Sequence, residues 1–109
     1  MYSYNQPKKI HFMPVENSEY RGGNAFIGSG RAHATFDAHG SLPGVVNSSS
    51  KVFASITEIK IVDGQVVPWL GAANMWTLNV VPFDNGDIYI RSYIQWSEDL
   101  DFQISIVVF

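Results

Sequence analysis

The sequence predicts an all-β fold, an antiparallel β-sandwich of about six strands, and three observations carry that prediction. Apolar residues recur at every second position through most of the chain, the period of a half-buried strand. Turn-forming clusters break the pattern roughly every 8–14 positions, the spacing of short strands in sandwiches and barrels. No stretch of about ten residues or more holds the 3.6-residue apolar stripe of a packed helix.

Taken in order, the first strand is expected over Lys9–Val15. A second runs over Phe26–His39, where Gly28 and Gly30 invite a bulge or break. Gly40–Ser50 is a loop by composition. In Lys51–Val62 the positions Val52, Ala54 and Ile56 agree in phase, whereas Ile59 and Ile61 have switched sides. A β-bulge near Thr57–Glu58 reconciles them. Asp63–Asn74, with Pro68-Trp69 and Gly71, is a second loop.

Strands then follow at Met75–Phe83, Asp87–Trp96 and Leu100–Phe109. Asn85-Gly86 supplies the positive φ angles of a tight hairpin turn, and Ser97-Glu98-Asp99 supplies a polar one. These three strands are expected to form a meander. Within it Ile88, Ile90, Ser92, Ile94 and Trp96 share one face, and Tyr89, Arg91, Tyr93 and Gln95 share the other. Leu100, Phe102, Ile104, Ile106 and Val108 share a face of the last strand, with Val107 and Phe109 outside.

At 109 residues and 12.2 kDa the chain fits one domain, 1–109. Charged residues are scarce at 16% and aromatics plentiful at 14%, so some aromatic surface is expected to meet a subunit or ligand. The net charge is −3, and Lys8-Lys9 is the only adjacent basic pair. Phosphate tracking needs several cations on one face, so nucleic acid is not an expected partner. There is no Cys, which excludes disulfides, thiolate nucleophiles and Cys-ligated zinc. Met1–Pro7 shows no apolar segment of a signal peptide, and no apolar run approaches the ~20 residues of a membrane-spanning helix. The expectation is a soluble protein, cytoplasmic or released by a route without a signal, with no cofactor.

His33, Thr35, Asp37 and His39 alternate onto one strand face. Asp37 and His39 are close enough to share a metal, but His33 lies about 13 Å from Asp37 at strand rise. His33, Asp37 and His39, with His11 from another strand, are therefore the candidate metal ligands against a plain solvent-facing polar face, and the plain face is preferred. No nucleophile-elbow pattern surrounds any serine. Glu98, Asp99 and Asp101 cluster at a turn, where solvated carboxylates do not acquire the split acidities of an acid–base pair. Gly22-Gly23, Gly28 and Gly30 spell no phosphate loop. The chain reads as a binder and not an enzyme. Tyr89, Arg91 and Tyr93, two aromatics flanking a cation, suit an interface or a ligand as well as ordinary cross-strand pairing.

Val52-Phe53-Ala54-Ser55-Ile56-Thr57-Glu58-Ile59, Tyr93-Ile94-Gln95-Trp96-Ser97-Glu98-Asp99 and Gln103-Ile104-Ser105-Ile106-Val107 together resemble an H-type lectin domain, mainly across residues 51–109. The resemblance implies a six-stranded sandwich that trimerises through sheet faces and binds galactose or N-acetylgalactosamine between subunits. The family's binding Trp falls on Trp96. The His that follows it there is Ser97 here, the family's central-strand Arg has no clear counterpart, and its last-strand Trp is Val107.

The expected ligand-binding residues are thus Trp96, Ser97, Asp99, Tyr89, Arg91 and Tyr93, with carbohydrate and further copies of the chain, a trimer or another multiple, as partners. Trp96 keeps two readings: core, because it continues the Ile88–Ile94 face, or an exposed plate for a sugar. The alternative function is a structural or attachment protein, such as a phage tail or particle component, assembling through its sheet faces.

Overall fold

The computed structural model describes residues 6–15 and 24–109; the polar start of the chain and Gly22-Gly23 lie outside them. The described residues form nine strands and no helix: β1 (Lys8–Lys9), β2 (Met13–Pro14), β3 (Asn24–Ala32), β4 (Ala34–Ser41), β5 (Val52–Val62), β6 (Gln65–Pro68), β7 (Asn74–Pro82), β8 (Asp87–Gln95) and β9 (Leu100–Val108). They make two sheets, β1-β4-β8-β7 and β2-β3-β9-β5-β6. All pairs are antiparallel except β1 with β4. The result is an all-β sandwich, a slab of 39 × 37 × 17 Å.

The alternation read from the sequence builds the core. Ile88, Ile90, Ser92 and Ile94 of β8 are fully buried, as are Phe102 and Ile104 of β9, with Ile106 and Val108 nearly so. Phe36 of β4 packs on Phe102 across the layers, ring centroids 5.0 Å apart. Each such Ile or Phe contributes roughly 1.5–3 kcal/mol by leaving water.

The meander does not form. β8 pairs with β4 and β7, whereas β9 pairs with β3 and β5, so 96–99 arches from one sheet to the other. A polar turn between two strands with apolar faces serves a hairpin and an arch equally well. In an arch the two apolar faces meet across the core instead of lying side by side. As a consequence, the outer faces of β8 and β9 look in opposite directions, and Val107 and Phe109 do not extend the Tyr89–Tyr93 surface.

The segment expected as one strand over Lys9–Val15 is a strap with one short strand in each sheet. Between them Ile10 and Phe12 enter the core, and the strap covers one open side of the sandwich. Gly28 and Gly40 make the room, since a Cβ on either would overlap Ile10 or Phe12. Gly28 and Gly30 therefore lie within an unbroken β3, and the expected bulge or break is absent there. The chain instead breaks at His33, followed by Ala34 with φ of 56°.

β5 pairs with β9 from Val52 to Glu58 and with β6 from Ile59 to Val62, without a bulge. Its phase change has another cause: beyond Glu58 the strand leaves β9 and continues as an arm with β6. Asp63 and Gly64, both with positive φ, turn that arm inside the stretch expected to be loop. The register shift recorded among the described residues lies in β7, between Thr77 and Asn79.

Candidate ligand-binding end of the sandwich

Two of the connections that cross between the sheets meet at one end. The β3–β4 corner is the single residue His33, and the β8–β9 arch is Trp96-Ser97-Glu98-Asp99. Because β3 pairs with β9 and β4 with β8, the two crossings lie side by side. His33 Nδ1 lies 2.6 Å from Asp99 Oδ1. Arg31 Nη1 donates to Asp101 Oδ1 at 3.1 Å, and Nη2 reaches the Asp99 carbonyl at 3.4 Å. The His33 hydrogen bond holds the Asp99 carboxyl below its ordinary 3.8; partial burial pushes it up, and charges on His33, Lys8 and Arg31 add to the lowering. Asp99 is thus an anionic acceptor with a fixed orientation in neutral solution.

Aromatic surface adjoins this array. Trp96 is 43% exposed and outside the core. On the outer face of the same sheet end, Tyr93 stacks on Trp76 at 5.5 Å and 23°. Two register positions further, Asn74 Nδ2 donates to Gln95 Oε1 at 3.1 Å. The half-exposed rings and fixed polar groups can offer plates to the C–H face of a ring and partners to its hydroxyls.

The expected site residues divide. Trp96, Ser97 and Asp99 lie at the end, with Tyr93 beside them. Tyr89 lies four residues back along β8, about 13 Å away. There it stacks on His39 at 4.5 Å and meets the edge of Phe83 at 5.5 Å. Arg91, between the two, is engaged in a bidentate pair with Asp37: Nε to Oδ1 at 2.7 Å and Nη2 to Oδ2 at 3.0 Å. The carboxylate is only 8% exposed.

These engagements also separate the candidate metal ligands. His33 faces Asp99, Asp37 holds Arg91, and His39 Nε2 lies 3.4 Å from Asp87 Oδ1. Among the described residues no three His, Asp or Glu side chains converge as a metal-ligand set.

Against family models, curated protein sequences and solved structures, this chain finds no match. The likeness to H-type lectins rests on the residues quoted above alone. Trp76, Asn74, Arg31 and the role of His33 escaped sequence reasoning. Counting back from the Asn85-Gly86 turn places Thr77, not Trp76, opposite Tyr93, because the irregularity in β7 moves the register by one.

Proposed function

We propose that this chain is a carbohydrate-binding β-sandwich that works as an oligomer and carries out no catalysis. The observation that supports it best is the half-exposed Trp96 in the same four-residue arch as Asp99, a carboxylate already oriented by His33. Pre-ordered groups reduce the entropy lost when a flexible, hydroxyl-rich ligand binds. Trp96 supplies the plate, Asp99 and Ser97 the acceptors and donor, and the Trp76–Tyr93 pair a second apolar wall. Tyr89 and Arg91 lie outside this grouping and fit an adjoining surface. Galactose and N-acetylgalactosamine are the first sugars to try, on the lectin resemblance.

The test is calorimetric titration and a glycan array on native protein and on W96A. Sugar binding that disappears in W96A, with folding intact, supports the proposal; a folded native protein silent on the array and in titrations sinks it. The structural or attachment reading keeps one observation of its own, the charge-free run from Gly64 to Phe83.

A further inference from the structure

The four edges of the two sheets are treated differently. β1 and β2, on one side of the slab, are two-residue straps carrying Lys8, Lys9 and Pro14, features that discourage a further strand or subunit. β6 and β7 bound the other side. They and their connection span Gly64–Phe83, twenty residues without a single Asp, Glu, Lys, Arg or His. Val66, Trp69, Leu70, Leu78, Val81 and Phe83 are all exposed there, Leu70 completely. Among the described residues no strand pairs with the outer edge of β7.

We infer that this uncharged β6–β7 side is where a second copy of the chain docks, across a two-fold axis. A two-fold contact sets a surface against itself, so it must not oppose like charges. The β1–β2 side would bring Lys8 and Lys9 against their own copies. The β6–β7 side brings only apolar and amide groups together. The cations nearby are already engaged: Lys60 Nζ lies 5.5 Å from the Trp69 ring and 3.8 Å from Glu58, and Arg91, opposite Asn79 of β7, pairs with Asp37, while Asp63 and Asp84 stand at the turns that end the run. A stable interface buries roughly 800 Å² per partner, and these exposed apolar side chains are what this side offers toward it. The irregular register at Thr77–Asn79 interrupts the edge of β7, so the contact is side-chain packing and not a continued ladder.

This rests on the oligomeric half of the proposed function and is independent of the sugar. Sedimentation velocity on the full chain tests it, with L70E/L78E as the interface variant and F53E, at the start of β5 opposite Val107 and away from the β5–β6 pairing, as the control. The native protein should sediment with twice the 12.2 kDa chain mass. L70E/L78E should halve that mass with an unchanged circular dichroism spectrum, and F53E should leave it alone. Mixing L78E with L78K should restore the doubled mass, because opposite charges then face each other. A native protein that stays a single chain at its highest soluble concentration, or a dimer indifferent to L70E/L78E, overturns the inference. Sugar binding is read independently of mass: a single chain that still binds sugar overturns only this inference, and a dimer silent on the array overturns only the sugar reading.

Discussion

The two ends of the sandwich are closed by different physics. At the turn end, Gly86 has φ of 93°, and its carbonyl accepts the Leu42 N–H at 2.8 Å. Backbone lies against backbone there: a Cβ on Gly86 would sit 2.6 Å from Pro43 Cα. Ser48 completes the closure by donating its N–H and hydroxyl to Asp84. At the corner end the crossings are joined by solvent-facing pairs, Arg31–Asp101 and His33–Asp99, and Trp96 is left half exposed. A steric backbone contact cannot be altered without moving the chain. Exposed pairs contribute little to stability and leave their groups available for a ligand. The turn end is therefore where substitutions should unfold the protein, and the corner end is where they should alter binding.

The largest expected effect follows at Gly86. G86A puts an L side chain into the left-handed region and into the Pro43 backbone together, a loss of about 2–4 kcal/mol in denaturant melts. An unfolding midpoint equal to that of the native protein would erase the contrast between the ends. Midway along β8, D37N should cost about 1–2 kcal/mol, because Arg91 loses a bidentate, charge-assisted partner that is itself buried. A loss as large as that of G86A would move the structural weight from the turn end to the middle of the sheet. At the corner end, W96A should change stability by about 0.5 kcal/mol or less, while weakening sugar binding at least tenfold in titration. A large fall in its melting midpoint would instead return Trp96 to the core.

Much of the fold was legible because each strand declared its own inner face. The burial of Ile88–Ile94 and Phe102–Val108 followed from alternation alone. What alternation omits is which sheet a strand joins, and the arch at 96–99 is where that omission matters. Gly28 showed the same limit: a strand glycine signals either a break or a close neighbour, and the neighbour, Ile10, is distant in sequence. Of the candidate site, Trp96 and Asp99 were visible as a strand-end aromatic and a turn acid. Their setting was not, because His33 and Arg31 reach them only through the pairing of β3 with β9, about 70 positions apart.

The smallest effect is also the sharpest test of the corner end. Asp99 is held below 3.8 chiefly by His33, so H33A should raise its midpoint toward that ordinary value, read by NMR titration of the Asp99 carboxyl. Its folded-state acidity is greater than in the unfolded chain, so the contribution is complete above 3.8 and is lost as pH falls through the lowered folded value. H33A should therefore leave the Asp84 midpoint unmoved, since that carboxyl is held down by Ser48 at the opposite end. S48A should do the converse, raising Asp84 and sparing Asp99. If either variant shifts both carboxyls, the two ends are coupled through the sheet and cannot be assigned separate roles. If each shifts only its own, a ligand can engage Asp99 without disturbing the closure that holds the sandwich together.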